Sequence, residues 1–175
     1  MSAQRIIIVG ASSGIGKELA IGFLEKGWKV GLASRNVASL KDICDKYPNQ
    51  SAYEQIDITS EDAINNVEKL VDKLGGIDIY FHCSGIGSQN TTIDIKVEES
   101  ICQTNVVGFT RMTDWAYNYF KKSGRKGQIC VISSIAGTKG LGVAPAYSAT
   151  KRYQNIYIEC LEQLSHMQNV DISFT

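Results

Sequence analysis

Ser134, Tyr147 and Lys151 are the side chains best suited to chemistry, at spacings of thirteen and four residues. On a helix, Tyr147 and Lys151 would share one face, a turn apart. An ammonium beside a phenol favours the phenolate, the form a free tyrosine reaches only near a pKa of about 10. A serine hydroxyl held nearby can hydrogen-bond the same substrate oxygen. Together the three could give and take the proton needed to interconvert an alcohol and a ketone. A tyrosine and a lysine four apart also occur on ordinary helix surfaces, so the trio gains meaning only from the elements that place it.

Those elements must come from a chain of 175 residues, enough for one domain with a substantial core. An apolar share of 43% and a charged share of 21% are ordinary for a globular protein. Eighteen basic and eighteen acidic residues cancel, leaving no electrostatic footprint for nucleic acid or an anionic membrane. Any phosphate would have to be held by local geometry. The five cysteines are odd in number and lack C-x-x-C spacing, as expected for reduced thiols in a cytoplasmic protein. The two histidines, His82 and His166, form no ligand motif, so no metal site is expected. No apolar run reaches membrane-spanning length.

Strands and helices alternate along the chain. Strands are expected at Arg5–Val9, 28–33, 52–56, 77–82, 128–132 and 170–174. Helices are expected from Gly16 to about Lys26, over 37–47, from an N-cap at Ser60 to about Leu74, over 98–122 with a possible bend at Gly108, and over 144–164. Residues 85–97 read as a loop. This alternation predicts an α/β fold: a doubly wound parallel sheet, Rossmann-like, with helices on both faces. With no linker or repeat, residues 1–175 form a single dinucleotide-binding domain.

The turn after the first strand reads Gly10-Ala11-Ser12-Ser13-Gly14-Ile15-Gly16 and runs straight into a helix. Glycines let a pyrophosphate approach, and N–H groups at a helix mouth face it. The second strand ends in Ala33-Ser34-Arg35-Asn36. In dinucleotide folds an acid at that point bonds the ribose diol of NAD, whereas an arginine suits the 2′-phosphate of NADP. Here the acid is absent and Arg35 offers a planar fork matched to phosphate, so the expected cofactor is NADP(H).

With these pieces in place the sequence resembles the short-chain dehydrogenase/reductase family over residues 5–175. Gly10–Gly16 matches the family's cofactor turn, and Asp57, followed by Ile58, matches the acid that holds the adenine. Cys83-Ser84-Gly85 stands where the family usually has Asn-Ala-Gly. Asn105, Ser134, Tyr147 and Lys151 match the catalytic positions. The resemblance implies hydride transfer between NADP(H) and a carbonyl or alcohol, with Tyr147 as general acid/base. Lys151 would favour the phenolate and hold the nicotinamide ribose. Ser134 would orient the substrate oxygen, and Asn105 would position a water linked to Lys151. Ser133 is the rival for the serine role, but thirteen residues to the tyrosine is the family spacing. The family continues beyond its sixth strand with a substrate lid and a final strand, so the chain is expected to be a truncated form that turns over little.

Other features are read more plainly. His82, Cys83 and Cys130 are expected to pack inside. Lys139 could touch substrate. Most of Trp115, Tyr117, Tyr119 and Phe120, with Tyr153, Tyr157 and Leu161, are expected to be core, with any excess left for an interface. The family resemblance implies that these two helices pair with their copies in a homodimer or homotetramer. Two alternatives remain: a catalytically silent cofactor binder or sensor, and a ketoreductase acting on a carrier-bound acyl chain.

Overall fold

The computed structural model describes residues 4–175. Six strands form one parallel sheet: β1 (Arg5–Val9), β2 (Lys29–Ser34), β3 (Ser51–Gln55), β4 (Ile79–His82), β5 (Gly127–Val131) and β6 (Ile172–Phe174). Their spatial order is β3-β2-β1-β4-β5-β6, the doubly wound arrangement. β1 sits at the centre, with Ile7 opposite Gly31 of β2 and Tyr80 of β4. Its continuous apolar run follows from burial on both faces. Ile6 and Ile8 enter one core layer and Ile7 and Val9 the other.

The helices are α1 (Gly14–Glu25), α2 (Val37–Lys46), α3 (Ala63–Leu74), α4 (Ile95–Cys102), α5 (Phe109–Ser123) and α6 (Pro145–Gln168). Leu24 of α1 and Leu40 of α2 pack beneath Ile6 and Ile8. Leu70 of α3, Phe120 of α5 and Leu161 of α6 pack against the opposite face. Fully burying an isoleucine or leucine contributes about 1.5–3 kcal/mol, so the β1 triplet alone is a large stabilising term.

Two sequence expectations need correction. Ser60 does not cap α3: its Oγ accepts the Asp62 N–H at 3.2 Å in a preceding turn, and the helix begins at Ala63. The helix expected over 98–122 is three pieces. α4 starts earlier, at Ile95, because Asp94 accepts the Lys96 N–H and serves as the cap. A π-helical turn, Gln103–Gly108, then joins α4 to α5. Gly108 is the last residue of that turn, and a Cβ there would fall 2.7 Å from Cγ1 of Ile58.

Beneath the sheet's carboxyl edge, Tyr80 Oη and His82 Nδ1 lie 2.8 Å apart, both buried. Burial first, and then the charge of Lys151, depress the His82 pKa from 6.5 to about 3. Between those values the unfolded chain binds a proton that the folded chain refuses, so stability rises with pH across this window. Burial also raises the Tyr80 pKa. Asp57 and Asp78 are held below 3.8, mainly by hydrogen bonds from Thr59 and Arg5, and act only at lower pH. Thermal unfolding followed from pH 7 to 4.5 should therefore show a melting temperature that falls with pH. The paired variant Tyr80→Phe/His82→Leu should flatten that slope, and an unaltered slope would remove His82 as its source.

Candidate active site

The chain leaves β1 and β4 in opposite directions, which opens a crevice at their carboxyl ends. The first part of the crevice is a groove of about 440 Å³. Gly10, Ser12, Ser13, Gly14, Ile15 and Gly16 line one wall, Arg35, Asp57 and Ile58 a second, and Ser84 and Gly85 the floor. Gly10 and Ala11 donate their N–H groups to Ala33 O, and Ser39 Oγ donates to Ser12 O at 2.7 Å, so the turn is pinned from β2 and α2. A Cβ on Gly16 would lie 2.2 Å from Gly10 O; only glycine lets the helix start this close to the strand.

No side chain caps α1, and its first turn carries no acid. Its first N–H groups lack intrahelical acceptors and face an electropositive mouth. Asp57 accepts both the N–H and the hydroxyl of Thr59 through Oδ1, at 2.9 and 2.7 Å, leaving Oδ2 to the groove. Arg35 is exposed, with its carbonyl bonded by Gln55 Nε2. Ser34, at the end of β2, turns its hydroxyl to Asn36 O. A dinucleotide fits this donor set: unpaired N–H groups for a pyrophosphate, a carboxylate for an adenine amino group and a guanidinium for a phosphate.

The groove continues into a second cavity of about 530 Å³ through shared walls at Ile15, Cys83 and Ile132. Ser134, Tyr147 and Lys151 line this cavity together. α6 carries Tyr147 and Lys151, and its start is fixed by Glu98 of α4, whose Oε2 accepts the Ala146 N–H at 2.9 Å. Ser134 begins a short 3₁₀ turn and accepts the Ala136 N–H through Oγ at 3.1 Å. That leaves its own proton for the cavity. Ser133 is committed elsewhere, donating to Asn155 Oδ1 of α6. Lys139 lines a neighbouring cavity beside Arg152, away from Tyr147.

Asn105 lies behind the cavity and is wholly buried. Its Oδ1 accepts the Ile86 N–H at 2.9 Å, and its Nδ2 donates to Ile86 O at 2.7 Å and Thr150 Oγ1 at 3.1 Å. It thus fixes the Gly85–Gly87 segment against α6. Lys151 Nζ donates to Ile132 O and to Gln154 Oε1, both at 2.9 Å, and burial lowers its pKa. Gln154 Nε2 in turn donates to Asn105 O at 2.9 Å. Gln154 thus bridges the ammonium of Lys151 and the backbone of Asn105.

Cys83, in the place of the family's asparagine, has its thiol pushed up to about 12 by burial and by Cys130. It is a packed group here, not a nucleophile. Gly87, unremarked in the sequence, lies flat on Tyr147: a Cβ there would fall 2.6 Å from Cδ2 of the ring. Its signal was the G-x-G of Gly85-Ile86-Gly87. Gln154 had a fainter one, a polar residue one turn beyond Lys151.

A sequence model of the short chain dehydrogenase family matches residues 4–175. A dehydrogenase/reductase SDR family member 7B from Xenopus laevis is 28% identical over 185 aligned positions, covering 99% of this chain and 57% of the relative. The chain thus spans less than two thirds of that relative's length. A short-chain type dehydrogenase/reductase from Mycobacterium marinum superposes with a TM-score of 0.86 at 25% identity, covering 97% of this chain and 72% of the other. The structure of ElxO with NADP bound superposes at 0.77 with 28% identity, covering 86% and 63%. The alternating β/α order, the glycine turn at the mouth of α1 and the Tyr147–Lys151 face of α6 therefore have a common source: the chain belongs to the short-chain dehydrogenase/reductase family.

Proposed function

We propose that this chain is the catalytic core of an oxidoreductase that interconverts a carbonyl and an alcohol with NADP(H). One observation carries the proposal: Ser134, Tyr147 and Lys151 line a single cavity that opens directly into the dinucleotide groove. When bound, the cofactor gives or takes the hydride. In reduction Tyr147 donates its phenolic proton to the carbonyl oxygen, and in oxidation it removes the proton from the alcohol. Lys151 holds a positive charge beside the phenol and keeps one N–H for the ribose. Ser134 donates to the same substrate oxygen and so opposes charge where it develops. Asn105 keeps the Ile86 backbone, and with it the floor of the cavity, in place.

Arg35 supports NADP(H) over NAD(H), because it lines the groove just after β2, at the position where an acid would bond a ribose diol. The NADP-bound relative shows that a neighbour in this fold takes that cofactor. Association through α5 and α6 would complete a homodimer or homotetramer; part of their aromatic surface is already used within the chain, where Tyr153 and Tyr157 stack at 5.4 Å and pack on Phe109. The substrate is a small carbonyl or alcohol, and the protein works in the cytoplasm.

Tyr147→Phe should lower turnover by at least about a thousandfold, since it removes the proton carrier outright. NADPH binding, read by fluorescence titration, should change less than about threefold. Retained turnover would take Tyr147 out of the acid/base role. Arg35→Asp should move the ratio of NADPH to NADH affinity towards NADH by about a hundredfold, the value of one or two charge-assisted bonds. An unchanged ratio would show that Arg35 does not meet the 2′-phosphate.

A further inference from the structure

The buried amide of Gln154 is not used by the mechanism above, yet it sits at the junction of two of its residues. Gln154 has no exposed surface. Its Oε1 accepts from Lys151 Nζ at 2.9 Å and its Nε2 donates to Asn105 O at 2.9 Å. The partners dictate this orientation: an ammonium only donates and a carbonyl only accepts, so the amide has one satisfactory setting. The carbonyl is available because of the π-helical turn. In an α-helix the Phe109 N–H would bond Asn105 O; here it reaches Thr104 O and Val106 O instead.

Lys151 is 6% exposed and forms no ion pair among the described residues. The titratable groups facing it are His82 and Cys83 from the end of β4, and Tyr147 from its own helix. None is a carboxylate. Two neutral oxygens, Ile132 O and Gln154 Oε1, hold its ammonium, each taking one proton. The third proton is left for the cavity.

We propose that Gln154 is the positioning residue of Lys151: it keeps the buried ammonium charged, fixes its direction and ties it to the π-helical turn that carries Asn105. The link conducts no proton, because an amide nitrogen has no basic lone pair with which to take one up as it gives one away. The effect on Lys151 stands on geometry; its effect on turnover rests on the proposed function.

The test separates the two. Lysine labelled with carbon-13 at Cε lets the protonation of Lys151 be followed by NMR in the protein without cofactor, with Lys151→Met assigning the signal. Gln154→Leu should lower the midpoint by about one to two pH units, the worth of one hydrogen bond to a charged group. Gln154→Glu, which keeps an acceptor and adds a negative charge, should raise it above the wild-type value. A midpoint equal in wild type and Gln154→Leu overturns the proposal. If Gln154→Leu fails to fold by circular dichroism, Gln154→Glu decides alone, a raised midpoint supporting the role and an unchanged one overturning it. In NADPH-linked turnover, Gln154→Leu should lose at least about tenfold in kcat with little change in the carbonyl KM, and its activity should fall away at lower pH on the alkaline side. Full turnover by Lys151→Met would overturn the proposed function and leave the NMR result standing. An unmoved midpoint alongside an inactive Lys151→Met would overturn the role of Gln154 alone.

Discussion

The site depends on a single topological constraint. β1 and β4 are neighbours in the sheet but not in sequence, and the chain departs from their carboxyl ends towards opposite edges. A crevice must open where those departures diverge. Both loops that leave it are forced together: a Cβ on Gly10 would fall 2.7 Å from Ser84 N, and one on Gly16 3.2 Å from Cys83 Cβ. The glycine turn and the cavity floor therefore form one wall, and anything seated on the first meets the second.

Beneath that wall lies a polar interior that behaves as one structure. Asn105, Thr150, Lys151 and Gln154 are buried, and each is paired. Leaving such groups unpaired would cost about 1–3 kcal/mol apiece, more for the ammonium, so their geometry is strongly specified. The π-helical turn is part of this economy. It shifts the backbone register just where Asn105 must face Ile86 and offer its carbonyl to α6. Irregular helix is costly locally, but here its displaced acceptor is satisfied by a side chain.

The sequence made the architecture legible because its strongest signals are local. The run Arg5–Val9, the turn Gly10–Gly16 and the alternation of strand and helix each follow from backbone and burial preferences that a short window reveals. The family's spacing favours Ser134 over Ser133, and Ser133 donates to Asn155. What escaped were features created by contacts across the fold. The start of α4 was set by Asp94, a cap hidden in a polar loop. The π-helical turn has no composition of its own; QTNVVG would serve as ordinary helix. Gln154 acquires its role only when α6 is laid against the turn forty-nine residues earlier.

The charge balance at the site sharpens the point. The ion pairs among the described residues join Arg5 and Arg125 to Asp78, Lys41 to Asp45, and Lys73 to Glu54, all outside the crevice. Lys151 is held by neutral oxygens instead. A carboxylate partner would fix a lysine equally well but would cancel its field at a phenol nearby. Carbonyl and amide dipoles fix it without cancelling its charge. The Lys151 pKa is depressed because burial works against the charge, and only the neighbouring Cys83 pulls the other way. A residue that must influence another by its charge is better placed by dipoles than by counter-ions.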